Sequence, residues 1–253
     1  MHADIVALQA FYQASLGQVA RRMVLRALRE VWSNTAGLTV AGVGYAIPYL
    51  RPFRGEAARV LALMPAQQGV APWPSEGPGL SCLCDDASLP LPDLSVDRVL
   101  LIHGLEGTEH PRPLLREIWR VLAGNGRLLV VAPNRRGLWA RADGTPFGHG
   151  HPYSAGQLAR ALTDALFVPL RQTSALFVPP VQSRLALSWA PAWEKLGRRW
   201  FPGFGGVTMI EAGKQMFAGV TSVEPVAKKS LIMPLPNGVT QWHHEPHDQR
   251  PNP

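Results

Sequence analysis

The chain has little cysteine, little charge and no long apolar run, and each shortage excludes a class of protein. Its two cysteines among 253 residues, Cys82 and Cys84, lie two apart on a predicted strand, where disulfide geometry is rare, and they make no metal site alone. No run approaches about 20 apolar residues, which excludes a membrane-spanning helix. The N-terminal stretch also lacks the continuous apolar core of a secretory signal. We therefore expect a protein of the reducing cytoplasm.

Charged residues make up only 17% of the chain, and basic ones dominate. Apolar residues make up 46%, which is typical of a globular protein. The net charge of +7 comes mostly from arginines that are spread along the sequence. The closest approach to a basic stripe is Arg21, Arg22, Arg26 and Arg29 in the first predicted helix. A solvated helix face is the favoured interpretation of these arginines, and an anionic partner such as a membrane or RNA is the alternative.

The most informative segment, residues 84–134, has the pattern strand, acidic loop, strand, helix, turn, strand. Residues 97–102 and 127–132 are short apolar runs with the length of buried strands. Residues 113–122 between them carry an apolar helical stripe, and a Gly-Asn-Gly turn at 124–126 is expected to end that helix. The pattern is that of a βαβ unit, whose two strands run parallel.

The rest of the chain extends this pattern on both sides. A helix is expected to begin at Ser154, where Gln157 completes a capping-box pattern. The other predicted elements are helices at residues 5–32 (interrupted at Gly17), 46–53 and 191–200 and strands at residues 38–41, 59–64, 80–84, 171–178 and 206–210. We expect an α/β fold with a Rossmann-like, seven-stranded, mostly parallel sheet that ends in an antiparallel pair. It would be divided into an N-terminal helical segment (1–34), a main domain (35–219) and a proline-rich, disordered tail (220–253).

Two stretches of the central segment resemble a known family. Residues 86–97, DASLPLPDLSVD, and residues 115–122, LREIWRVL, are similar to the class I S-adenosylmethionine-dependent methyltransferases of methyltransferase type 11. The resemblance is strongest over residues 85–134 and weaker over residues 38–64. It implies a methyltransferase fold for the main domain, S-adenosylmethionine as cofactor, and direct displacement of the methyl group by an acceptor.

The resemblance also assigns cofactor-binding positions. Asp86 takes the place of the acid that faces the adenine amino group, with the amide of Ala87 near the ring, since a carboxylate accepts from an amine and an amide donates to a ring nitrogen. Gly42 and Gly44 take the place of glycines whose missing side chains let the backbone approach the methionine moiety. His103 follows the fourth strand, where the family lines its cofactor and acceptor. The alternatives are a turn cap for Asp86 and an ordinary tight turn for the glycines.

Three positions depart from the family pattern. Ala46 replaces the third glycine, Val40 replaces an acid before the first glycine, and the second strand ends at Met64 without the acid that grips ribose. Gln67 or Gln68 is a neutral substitute for that acid. A catalytically silent methyltransferase-like protein, acting as an assembly factor or a regulatory binding module, is therefore the alternative to an enzyme.

Two histidines and a tyrosine are the catalytic candidates. His103 is a candidate general base or cofactor-side hydrogen-bond donor that Glu106 could orient, and a packed strand-end histidine is the alternative. The loop at residues 145–154 is expected to lie over the carboxyl end of the sheet. It is either an acceptor lid that carries His149 and Tyr153 or a packed Ω-loop. No metal site is expected there, because no third ligand is evident.

The expected partners follow from the same features. A small-molecule acceptor is favoured and a protein partner remains open. Nucleic acid is not favoured, because the Asn-Pro-Pro-Tyr-type signature of base amino methylation is absent. The aromatic group Trp189, Trp193, Trp200 and Phe201 is expected to pack as core, and an apolar acceptor or partner surface is its alternative.

Overall fold

The computed structural model describes residues 4–215, which contain a seven-stranded sheet with helices on both faces. The strands are β1 (Thr39–Gly44), β2 (Arg59–Pro65), β3 (Ser81–Cys84), β4 (Val96–Ile102), β5 (Leu122–Pro133), β6 (Phe167–Ala175) and β7 (Val207–Lys214). The helices are α1 (Ile5–Gln13), α2 (Ser15–Val31), α3 (Ile47–Leu50), α4 (Pro111–Val121), α5 (Ala155–Asp164), α6 (Arg184–Ser188) and α7 (Ala190–Trp200). The sheet order is β3-β2-β1-β4-β5-β7-β6, with β1 to β5 parallel and β7 antiparallel to both neighbours. The predicted mostly parallel sheet with its terminal antiparallel pair is confirmed.

The βαβ unit is confirmed, and its turn differs from the prediction. The backbone becomes extended at Leu122, directly after α4, and Leu122 pairs with Val96 on β4. The register then shifts, so that the next pair is Arg98 with Arg127. The Gly-Asn-Gly stretch at 124–126 therefore lies in an irregular part of β5 and does not end the helix.

The two N-terminal helices break at Ala14, not at Gly17 as predicted. Ala14 has an extended backbone (ψ 157°), whereas Gly17 lies inside α2. A Cβ atom at Gly17 would lie 1.9 Å from the carbonyl oxygen of Phe11. Glycine is needed at this position because the end of α1 packs directly on α2.

Two hydrophobic cores lie on opposite faces of the sheet. Alternate strand residues enter opposite cores, as the pleat requires: Leu100 and Leu129 face one, Leu101 and Val130 the other. The first core is covered by α1, α2, α3 and the start of α7, and the second by α4 and α5. The predicted capping box is present, because Ser154 Oγ accepts from the α5 backbone. Helices α1 and α2 contribute to the first core, which also contains Val40 of β1.

The aromatic group on α7 does not pack as core, so that prediction is wrong. Trp189 is 66% exposed and Trp200 is 65% exposed, and Trp193 and Phe201 are also exposed. The buried face of α7 instead carries Ala190, Glu194 and Gly197, and Gly197 packs so closely that no indole fits beneath the helix there.

Two further predictions concern the ends of the chain and membrane spans. The predicted tail at residues 220–253 lies outside the described residues. Within residues 4–215, no helix is long and apolar enough to cross a membrane.

Candidate functional site

His103 follows β4 at the carboxyl edge of the sheet, where three loops meet. Its φ of 52° belongs to the left-handed region that few residues other than glycine adopt. Gln68, from the loop after β2, donates from Nε2 to the His103 carbonyl oxygen at 2.7 Å. Gly44, at the end of β1, has a φ of 83°, and a Cβ atom there would lie 2.3 Å from the Ile102 carbonyl oxygen. The backbone around His103 is therefore held in one strained arrangement.

A chain of buried polar groups runs through the His103 side chain. Nδ1 lies 3.1 Å from Glu106 Oε1, and Nε2 lies 2.6 Å from the Tyr12 hydroxyl. That hydroxyl lies 2.9 Å from the hydroxyl of Tyr49. A carboxylate only accepts, so Nδ1–H donates to Glu106, and in the neutral form of the imidazole Nε2 then accepts from Tyr12. Glu106 therefore contacts the ring and orients it, which the sequence offers as one of two roles for this residue, the other being to begin the following helix.

Aromatic side chains surround this chain and exclude water. The His103 ring centroid lies 4.9 Å from that of Phe147 and 5.7 Å from that of Tyr12. Burial raises the pKa of Tyr12 well above its ordinary value, and it raises the pKa of Tyr45 to about 12. These phenols are therefore neutral at physiological pH, and Tyr12 remains a hydrogen-bond donor.

Two buried oxygen atoms beside His103 have no hydrogen-bond partner among the described residues. They are Glu106 Oε2 and Gln68 Oε1. An unsatisfied buried polar atom costs about 1–3 kcal/mol and is typical of a site that a ligand completes. Both atoms are acceptors, so they suit a ligand that carries N–H donors or positive charge.

An open cavity of about 500 Å³ lies at the same edge of the sheet, next to the Glu106 loop. It is lined by Gln67 after β2, by Asp86 and Ala87 after β3, and by residues 107–110 after β4. In the loop after β3, the residue that caps the turn is Asp85, whose Oδ1 accepts from the Ala87 amide at 2.9 Å. Asp86 lines the cavity, and its carboxylate accepts no hydrogen bond from the described chain. The turn-cap interpretation of Asp86 is therefore wrong.

A second cavity, of about 380 Å³, adjoins the first and shares Thr108 and Glu109 with it. Tyr153, His151 and Arg135 line it. His149 is exposed, with no hydrogen bond to the described chain. The structure thus brings Tyr153 towards the Asp86 cavity but leaves His149 in solvent.

The loop after β1 is packed against the protein itself. A Cβ atom at Gly42 would lie 2.5 Å from the Cβ of Ala46 and 2.8 Å from Leu50. Ala46, one of the departures from the family pattern, is fully buried in this contact. Gly42 and Gly44 are thus required by chain packing, whatever they contribute to a cofactor.

Two members of the site were missed at the sequence level. Tyr12 reads as one more apolar position of an N-terminal helix, and its partner His103 lies 91 residues away. The sequence offers Gln68 only as a neutral substitute for the ribose acid, yet its backbone carbonyl oxygen accepts from the Ile5 amide of α1 at 3.0 Å. The only local signal was a pair of polar residues, Gln67 and Gln68, where a strand had just ended.

Comparison with known proteins agrees with this geometry. Residues 39–130 match the family model described as "Methyltransferase domain". Two Mycobacterium tuberculosis proteins, from strains CDC 1551 and H37Rv, are each 40% identical over 84 residues and are both named "Probable S-adenosylmethionine-dependent methyltransferase". That match spans 32% of this chain and only 30% of each relative.

Solved structures share the fold at low sequence identity. A SAM-dependent methyltransferase from Thermotoga maritima has a TM-score of 0.59 at 15% identity, covering 82% of this chain and 94% of its own. An Archaeoglobus fulgidus SAM-dependent methyltransferase has a TM-score of 0.56 at 18% identity, covering 77% and 94%. A Haloferax volcanii protein in complex with the Trm112 methyltransferase activator has a TM-score of 0.56 at 18% identity, covering 83% and 98%.

The strand order and the loops that meet at the carboxyl edge define a class I methyltransferase fold. The solved structures share this fold, and residues 39–130 match the methyltransferase-domain model within it. Both curated relatives are named as S-adenosylmethionine-dependent, which agrees with the cofactor that the sequence resemblance implies.

Proposed function

We propose that this protein transfers a methyl group from S-adenosylmethionine to a small-molecule acceptor. The observation that carries the proposal is the cavity at the carboxyl ends of β2, β3 and β4, which is lined by Asp86 with its unpaired carboxylate. The comparisons give no support to the catalytically silent alternative. A protein partner and a cytoplasmic location remain predictions.

The residues of the open cavity suit the adenosine part of the cofactor. Asp86 offers a free acceptor to the adenine amino group, as the resemblance implies. The Ala87 amide is already engaged by Asp85, so Asp86 carries adenine recognition without it. Gln67 lines the same cavity where β2 lacks an acid, and its amide can hydrogen-bond ribose hydroxyls. A neutral partner makes the hold on ribose weaker than a carboxylate would.

The buried end of the site suits the methionine part. The two unsatisfied acceptors, Glu106 Oε2 and Gln68 Oε1, match positive charge, and the cofactor carries an ammonium and a sulfonium group. When bound, S-adenosylmethionine supplies an electrophilic methyl group. Gly42 and Gly44 underlie this end of the site.

His103 is the proposed general base. Glu106 holds its ring so that the Nε2 lone pair faces into the site, where it can accept the proton of an acceptor N–H or O–H group. In this structure, which we call the closed state, the Tyr12 hydroxyl is hydrogen-bonded to Nε2 and so blocks that lone pair. We therefore propose that α1 withdraws Tyr12 when the methionine part of the cofactor binds at the buried end of the site.

Tyr153 lines the adjoining cavity and is a candidate acceptor contact, whereas His149 would act only if the loop at 145–154 rearranged.

Thermal unfolding with S-adenosylhomocysteine tests the proposal. Ligand at about 100 times its dissociation constant adds about 2.7 kcal/mol to the free energy of unfolding, which raises Tm by about 5–11 °C for a chain of this size. Absence of a shift at millimolar ligand would contradict the enzyme. Adenosine alone should give a smaller shift, because it fills only the open cavity.

A further inference from the structure

Helices α6 and α7 and the turn after them expose an unusual amount of apolar surface. All exposed Trp and Phe side chains of the described chain lie between residues 189 and 204. Leu185 is 77% exposed and Phe204 is 60% exposed, so the surface extends over the whole segment. Monomeric proteins rarely expose a contiguous apolar patch of this kind without a function.

The patch contains a groove of about 700 Å³. Leu185, Trp189, Trp193 and Leu196 form most of its lining, and Lys195 and Arg199 complete it. The groove is therefore an apolar surface with basic groups at its border. It lies on different elements from the Asp86 cavity.

The opposite side of α7 attaches the helix firmly to the protein. The Glu194 carboxylate accepts from the backbone amides of Leu176 at 2.6 Å and Phe177 at 2.9 Å. Gly197 packs on the Phe177 ring, and a Cβ atom there would lie 2.3 Å from it. The helix is thus held by its inner face, and folding does not require the outer aromatic side chains.

The charge on this segment has one sign towards solvent. Glu194 is the only acid between residues 185 and 204, and it is buried against the protein. Arg198 pairs with Glu30 on α2 at 2.7 Å, which leaves Lys195 and Arg199 as the free charges. The occupant of the patch must therefore combine apolar material with negative charge.

We propose that α6, α7 and the following turn bind the surface of an anionic lipid bilayer. Trp and Phe side chains with a basic border are the pattern of a helix that lies in the headgroup region, with its apolar face among the acyl chains. A second copy of the chain fits less well, because a two-fold contact would place each basic patch opposite itself. The proposed contact is peripheral, because the helix lies in the headgroup region and does not cross the bilayer.

Vesicle co-sedimentation of the full chain tests this surface. The protein should bind vesicles of phosphatidylcholine mixed with phosphatidylglycerol, and bind pure phosphatidylcholine much less. Trp189→Ser/Trp193→Ser should weaken binding by at least about tenfold. Lys195→Glu/Arg199→Glu should weaken it by about thirtyfold or more, since each basic residue near an anionic surface contributes substantially.

Matched variants on other faces control for composition. Arg116→Glu/Arg160→Glu makes the same charge change on α4 and α5, and Val168→Ser/Leu170→Ser removes exposed apolar groups from β6. Both should bind vesicles like the wild type. A Tm equal to that of the wild type confirms that each variant is folded. If the tryptophan variant unfolds, Lys195→Glu/Arg199→Glu still tests the proposal. Loss of binding in the controls, equal binding to neutral vesicles, no vesicle binding, or self-association that the tryptophan variant abolishes would each overturn the proposal.

Discussion

The open cavity beside Asp86 and the buried chain through His103 lie at the same edge of the sheet and differ in how they are built. The cavity is lined by neighbouring loop residues, Asp86 and Gln67, whose side chains are free to meet a ligand. The buried chain is closed by Tyr12, which reaches His103 from a helix 91 residues away in sequence. On the proposed function, recognition and reactivity are separated in this site: the open cavity is ready for adenosine, whereas the buried chain exchanges its Tyr12 contact when the methionine part of the cofactor binds.

The largest effect on cofactor affinity should come from a change in the open cavity beside Asp86. Asp86→Ala removes a charge-assisted hydrogen bond worth about 1.5–3 kcal/mol, so affinity for both S-adenosylmethionine and S-adenosylhomocysteine should fall about 10- to 150-fold in calorimetric titration. Asp143→Ala, an exposed carboxylate outside the cavity, is the control. Unchanged affinity in Asp86→Ala would remove the adenine assignment.

A smaller and more selective effect is expected at the buried end. Glu106→Gln keeps the shape of the side chain but removes the charge that faces the sulfonium, so S-adenosylmethionine should bind about tenfold more weakly. S-adenosylhomocysteine lacks the sulfonium charge, so its affinity should fall less. Glu76→Gln, on an exposed loop, controls for net charge. Equal losses for the two ligands would show that Glu106 does not face the methyl group.

The smallest change concerns the contact that closes the buried end. Tyr12→Phe leaves His103 Nε2 without its donor and should lower the free energy of unfolding by about 1–3 kcal/mol. Because the closed state is weakened, S-adenosylhomocysteine should bind up to about fivefold more tightly. Tyr45→Phe is the matched control, since the Tyr45 hydroxyl makes no hydrogen bond in the described chain. Weaker ligand binding by Tyr12→Phe would instead make Tyr12 a direct ligand contact.

The two ends also differ in how much of them the sequence revealed. The strands and the capping box at Ser154 follow from local periodicity and spacing, which act within a few residues. The resemblance to the methyltransferases, also local in sequence, is what singles out Asp86. The Tyr12–His103 bond depends on how α1 crosses the sheet, and no local pattern encodes that crossing. The tryptophans of α7 were misassigned for a related reason: burial depends on the small residues of the other helix face, Ala190 and Gly197.

The position of Tyr12 in a complex with S-adenosylhomocysteine tests the central claim most directly. A crystal structure should place the adenine amino group within hydrogen-bond distance of the Asp86 carboxylate and the Tyr12 hydroxyl away from His103 Nε2. A bound ligand with the Tyr12–His103 hydrogen bond intact would contradict the claim that the closed end opens for the cofactor.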